Sequence, residues 1–400
     1  MKKSSSNRMI YWLSWLGFFA IFSTTISKNP VLPLFAKAMG SSDALLGFIS
    51  AISPLAGIIF SFPIGFLIDR LGRKKLLFIS AFLFLISPLF YIFIESPAWL
   101  IPVRFLHGMA TAILTPLTAV MIFHAYPKNK GEKLGYYSSA TLFGRMLAPM
   151  VGGATITAFA YLGGLLDYKM VYILAFVFAL PVALIALAID HRIEVKNDIH
   201  NLFRLKDISS AFEKILQQGK LFSTSLCEMS IYFSFGVIET FLPVYLSGLG
   251  YSASRIGLIF SLQVLAIALT KPFFGRLADK IDKRKQILIG LAVLGLSIAA
   301  IPFIKSYIFI SILGIIFGLG MSFATIATNS YVGEVAKEKE MGASMGALSS
   351  IMDIGHSSGP FITGFIITYI SMSFGFFFSL IVCAGAATFF IFENYKSKTW

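Results

Sequence analysis

Apolar residues run along this chain in stretches much longer than a soluble helix needs, each ended by a short polar or charged interval. Twelve such stretches lie near 9–36, 43–68, 74–95, 97–126, 133–162, 167–190, 220–247, 253–277, 285–304, 306–334, 341–370 and 373–395. A helix of roughly 20 apolar residues crosses a lipid hydrocarbon core about 30 Å thick, and its backbone groups pair within the helix because no water is there to pair with them. The pattern predicts an all-α membrane protein with twelve transmembrane helices. Six spans fall on each side of the longest polar segment, which predicts an N-terminal half at 1–190, a linker at 191–219 and a C-terminal half at 220–400. In the linker, Leu205, Ile208, Phe212 and Ile215 recur at helical spacing between charged residues, as in an amphipathic helix resting on a membrane surface.

The two halves repeat one another. "GFLIDRLGRKK" (65–75) returns 210 residues later as "GRLADKIDKRK" (275–285), with Gly65/Gly275, Leu67/Leu277, Asp69/Asp279 and Lys75/Lys285 identical. Pro33 in "VLPLF" maps onto Pro243 in "FLPVY", and "GRMLAPMVGG" (144–153) onto "GHSSGPFITG" (355–364). The fold expected is therefore two six-helix pseudo-repeated halves, the construction of transporters that rock about a site near the membrane midplane.

Composition agrees and removes other classes. A mean hydropathy of +0.81 with 13% charged residues is wrong for a water-soluble surface. The net charge of +14 does not require nucleic acid, because Lys and Arg gather in the tails and alternate loops. Only Lys37, Lys169, Arg255 and Lys305 fall in the opposite loops, so both termini should be cytoplasmic and the charge should meet anionic lipid heads. "MKKSSSNR" leads into an apolar run that passes residue 30 without a small-residue cleavage site, which reads as a first span and not a secretory signal. Cys227 and Cys383 have no metal or redox spacing, and neither a phosphate-binding loop nor a nucleophile elbow occurs. An enzyme, an ATP-driven pump, a metal site and a bound cofactor are not expected. The partners expected are a small-molecule substrate, protons and membrane lipid, for a monomer in the plasma (inner) membrane.

At three places the residues resemble the major facilitator superfamily, and the resemblance covers essentially the whole chain. "GFLIDRLGRKK" is similar to its signature between spans two and three at every defining position. "RFLHG" (104–108) resembles the Arg-x-x-x-Gly element common in proton-coupled members, which implies a coupling role for Arg104. "GRMLAPMVGG" resembles the span-five signature of drug/proton antiporters, with Ala148 where Gly is usual. The first packet also has its own physics. Gly65 lets backbones approach, and Asp69 can meet the positive N-terminal end of a neighbouring helix. The resemblance implies that this neighbour is span eleven, starting near Met341, and that Asp69 with Arg70, Gly72 and Arg73 holds an inner gate shut. By the repeat, Asp279 would do the same for span five. Gly144, Gly153 and Gly359 offer flat faces and Pro149 and Pro360 bend their helices, which suits a gating seam between the halves.

Ionisable groups at membrane depth are costly and are functional candidates by default. Glu228 and Glu239 lie three turns apart on span seven with Tyr232 between them. Arg104, His107 and Thr111 share a face of span four, and Asp353 and His356 share one on span eleven. Arg145 lies near mid-depth in span five, and Ser322, Thr325 and Asn329 form a polar stripe on span ten. Lys28 and Glu239, at 211-residue offset, are expected to pair at an outer gate. Glu228, with no basic residue within a turn on its own helix, is the first choice for the coupling acid, ahead of Asp353; Glu239 and Arg104 complete the coupling set. Lys28, His107, Thr111, Arg145, Tyr232, Thr325, Asn329 and His356 are expected to line the substrate cavity. Plainer roles stay open: Arg104 as a tie to backbone carbonyls, Arg145 as partner of an acid, His107 and His356 as packing residues, and Lys271 snorkelling at the inner end of span eight.

The function expected is proton-coupled efflux, by alternating access, of hydrophobic or amphipathic compounds. Its rivals are uptake or uniport of a small nutrient, anionic ones included, and a non-transporting membrane sensor or scaffold.

Overall fold

A computed structural model describes residues 2–189, 217–335 and 341–396, and gives only the backbone of 2–7, 61–66, 69–70, 341–346 and 395–396. The linker helix and the side-chain environments of Gly65, Asp69, Arg70 and Met341 lie outside the described residues. Span one consists of α1 (Lys2–Ile26) and α2 (Val31–Ala38), and spans two and three are joined in α3 (Asp43–Ile92). Spans four to twelve are α4 (Leu100–Ala125), α5 (Lys130–Ala158), α6 (Leu166–Ala188), α7 (Gly219–Gly248), α8 (Ala253–Ala278), α9 (Lys283–Ala300), α10 (Tyr307–Val335), α11 (Met341–Tyr369) and α12 (Met372–Lys396). Among the described residues eleven segments are long and apolar enough to cross a bilayer. The 29-residue α11 is the remaining expected span.

Two turns depart from a simple reading of the pattern. The first span is not one helix: it breaks after Ile26 and restarts at Val31, with Pro30 at the N-cap. Proline lacks an N–H and disfavours helix in the residue before it, so Asn29 and Pro30 end α1 although the apolar run continues. Spans two and three are separated by a reversal at Gly72, with φ 75° and ψ 155°, a conformation that a side chain would strain.

The repeated packet turns differently in its second copy. There Asp282, at φ −62°, caps α9 by accepting from the Arg284 N–H at 2.9 Å, and its carboxylate pairs with the Arg284 guanidinium. The hydrogen bond from the Arg284 side chain holds the Asp282 carboxyl below the usual carboxylate range. The cap is therefore complete at neutral pH and is lost only as pH falls through that lowered value. Replacing Asp282 with Ala is expected to cost about 1 kcal/mol of stability, read as a lowered unfolding midpoint of the purified protein at pH 7 that converges on wild type in strong acid.

The described residues fall into two compact units. Unit one is Met1–Ser41, Leu55–Arg204 and Tyr251–Ser261; unit two is Ser42–Pro54, Leu205–Gly250 and Leu262–Trp400. Unit one has a core of Leu13, Leu16, Leu76, Phe84, Ile113, Leu117 and Val182, drawn from spans one, three, four and six. In unit two, Ile231, Phe241, Leu291, Phe317, Phe376 and Phe390 are buried. Phe82, Leu187, Leu269 and Phe309 stay exposed, a liability in water and the expected lipid-facing surface in a membrane.

Candidate transport and coupling site

Span seven carries two acids to different neighbours. Glu228 is 2% exposed, and its carboxylate accepts a hydrogen bond from the Thr328 hydroxyl of span ten. That hydroxyl also reaches the Thr325 carbonyl at 3.0 Å, so Thr328 is held in place by its own helix. Lys271, from span eight, is close enough to act electrostatically on Glu228. The absence of a base along span seven is thus offset from across the bundle, which spacing within one helix does not reveal. Three turns on, Glu239 meets His356 of span eleven, with Oε2 and Nε2 2.7 Å apart. Tyr232 and Phe235 pack beside the same imidazole, with ring centroids 6.4 and 5.4 Å away.

The other candidates have varied settings. Thr325 donates to the Met321 carbonyl at 2.8 Å and Asn329 to the Thr325 carbonyl at 2.6 Å, while Ser322 accepts from Thr270 of span eight at 3.3 Å. Asp353, Lys28 and Thr111 are half-buried, Arg145 is exposed on span five, and Asp279 is exposed beyond span eight. Lys28 belongs to unit one and Glu239 to unit two. Arg104 and His107 are 1% and 0% exposed inside unit one, and Thr111 donates to the His107 carbonyl at 3.3 Å.

The glycines of spans five and eleven pack in a repeated scheme. In unit one Gly144 and Gly152 of span five lie against span one, where an added Cβ would meet the Phe18 carbonyl at 2.8 Å and Ile26 at 3.1 Å. One position round the helix, Pro149 and Gly153 face the start of span eight: the Pro149 carbonyl lies where a Cβ of Gly257 would sit, and the Ala253 carbonyl where one of Gly153 would. The Ser254 N–H donates to Thr157 at 3.0 Å and the Met150 N–H to Ser261 at 3.1 Å. Unit two repeats this. Gly355 and Gly359 lie on the Met229 and Phe233 carbonyls of span seven, the Pro360 carbonyl fills the place of a Cβ on Gly47, and the Ala44 N–H donates to Thr368 at 2.9 Å. Small residues let the backbones meet. Each threonine caps an N–H at the start of the facing helix, one of the groups a helix leaves unpaired.

A duplicated six-helix chain with the same seam in both copies narrows the family. The description "Major Facilitator Superfamily" matches residues 13–254 and, separately, 224–400. The chain belongs to the major facilitator superfamily. This superfamily member is 24% identical over 392 residues to an uncharacterized MFS-type transporter of Methanocaldococcus jannaschii, covering 96% of this chain and 97% of the other. It is 25% identical over 378 residues to a multi-drug resistance efflux pump PmrA homolog of Lactococcus lactis, covering 90% of this chain and 88% of the relative. Among solved structures, an inward-facing, unoccupied bacterial homolog of the human lysosomal transporter Spinster matches with a TM-score of 0.81, at 16% identity over 99% of this chain and 98% of that one. The superfamily member is a multi-pass membrane transporter, not an enzyme, and it resembles the drug-antiporter branch.

Proposed function

We propose that this superfamily member exports hydrophobic or amphipathic small molecules in exchange for protons, by alternating access, from a plasma membrane in which both termini are cytoplasmic. The observation that carries the reading is Glu228, buried on span seven, hydrogen-bonded by the Thr328 hydroxyl and within electrostatic reach of Lys271. An acid in that setting has a charge-dependent partner on each side. Ionised, it attracts Lys271; protonated, it loses that attraction while it can keep the Thr328 hydrogen bond, so the favoured local arrangement depends on its charge. Proton binding thereby changes which packing of spans seven, eight and ten is favoured, as a coupling group must. Efflux is supported by the relatives named multidrug resistance pumps and by the antiporter-like span-five element. The 41 Phe and 14 Met offer adaptable apolar contacts.

The repeated seam supports the gating half of the reading. The starts of spans two and eight lie at the predicted outer side, so their glycine contacts with spans eleven and five would part when that side opens. On the predicted inner side, Asp69 is the proposed latch. Asp69→Asn is expected to insert normally and to transport poorly, while Asp279→Asn, exposed and in a copy that turns on an Asp cap, is expected to be milder. Equal losses in vesicle transport would remove that asymmetry.

The function is tested by following a fluorescent amphipathic dye in cells with and without the protein. Energised cells that contain it should hold less dye, and a protonophore should erase the difference. Gradient-driven accumulation of a small anion with no effect on the dye would replace export with uptake, for which Arg145, Lys28 and the buried Arg104 are the anion-binding candidates.

A further inference from the structure

Inside unit one, four polar side chains from three helices face one another: Tyr91 of span three, Arg104 and His107 of span four, and Tyr172 of span six. All are at most 1% exposed. Tyr91 and Tyr172 stack with centroids 4.3 Å apart and planes 5° from parallel, and the His107 ring lies 6.2 Å from Tyr91. Arg104 is near enough to act electrostatically on all three. Its guanidinium lies beside the Tyr91 hydroxyl without the geometry of a formed hydrogen bond.

This cluster is incomplete on two counts. Arg104 Nε, both ring nitrogens of His107 and the hydroxyls of Tyr91 and Tyr172 are buried with no hydrogen-bond partner among the described residues. Polar atoms left in that state are rare, because each has given up water without replacement. Arg104 also forms no ion pair among the described residues, although a guanidinium stays charged in proteins and a buried charge is costly without a counter-charge. The groups present are mainly donors: the guanidinium, two phenol O–H groups and one imidazole N–H. Water would satisfy the hydrogen bonds and leave the charge. A carboxylate-bearing substrate is too large for groups closed off to this degree.

We propose that Tyr91, Arg104, His107 and Tyr172 form a binding site for a small monovalent anion of halide size within the N-terminal half. The anion neutralises Arg104, accepts from both tyrosines, and ties spans three, four and six together where they would otherwise bury an isolated charge. It is a structural ion, and its test is separate from that of Glu228.

The test is thermal unfolding of the purified full-length protein in chloride, bromide and gluconate at equal ionic strength. A ligand that binds only the folded state raises stability with the logarithm of its concentration above its dissociation constant. The unfolding midpoint should therefore rise with chloride or bromide and not with gluconate. Tyr91→Phe/Tyr172→Phe keeps both rings and removes two donors, so the halide concentration needed for the same rise should increase about tenfold or more. Arg104→Gln should remove the halide response altogether; if it does not fold, the tyrosine pair decides. Equal midpoints in halide and gluconate for the wild type would leave water as the only occupant and overturn the site. A halide response unchanged in the variants would place the ion elsewhere, with the same consequence.

Discussion

Glu228→Gln is expected to abolish proton-driven transport while substrate binding remains measurable. The amide oxygen of Gln can still accept from Thr328, so the buried hydrogen bond seen at Glu228 survives and folding should be little affected. What disappears is the only property that coupling requires, a proton that comes and goes. For the wild type, each unit of pH gradient can sustain about a tenfold substrate ratio per exchanged proton. For Glu228→Gln that ratio should fall to one, with counterflow between equal pools persisting. Thr328→Val, which removes the donor and keeps the acid, should shift the pH dependence of transport instead of erasing it. If Glu228→Gln still concentrates substrate against its gradient, the coupling acid lies elsewhere and Asp353→Asn is the next variant.

The second large effect should come from two glycines that no signature motif marks. Adding a methyl at Gly257 would overlap the Pro149 carbonyl, and adding one at Gly47 would overlap the Pro360 carbonyl. A backbone carbonyl on a packed helix cannot swing away as a flexible side chain does. Overpacking of this kind typically costs about 1–3 kcal/mol, and a bias of that size is roughly 5–150-fold between two states. Gly257→Ala or Gly47→Ala should therefore favour the arrangement in which these contacts are parted. A cysteine placed at Ser252 or Ser42 should label faster with an impermeant reagent, and net transport should fall in step. Gly135→Ala, where an added methyl meets nothing within 4 Å, should behave as wild type. Unchanged labelling in both seam variants would show that the contacts are not part of the gate.

These predictions rest partly on what the sequence displays and partly on what it hides. Span existence needs only the length and polarity of a run, and even the boundaries came close: the expected 220–247 and 253–277 are Gly219–Gly248 and Ala253–Ala278. The Pro30 break was hidden because apolar residues continue past it and membrane helices tolerate proline. Glu228 was visible as an acid at membrane depth, but its partners were not, since Thr328 and Lys271 arrive from other helices. A signal for Thr328 did exist: it stands three residues after Thr325 on the polar stripe of span ten. Pro149, Gly153 and Pro360 could be picked out because their motif is dense, whereas Gly47 and Gly257 are lone glycines in apolar runs. Only their 210-residue offset, shared with the opening packet, distinguished them. Thr157 and Thr368 could be found only by extending the same comparison to the helix ends.

The claim that joins these parts is that substrate moves one way as protons move the other. It is tested most directly with the purified protein in liposomes that hold a pH-sensitive dye, acidic inside, to which an amphipathic organic cation is added. The account predicts that the cation enters against its gradient while the lumen becomes less acidic, and that Glu228→Gln liposomes show neither change. Cation entry with the luminal pH unmoved, or protons travelling in the same direction as the cation, would contradict it.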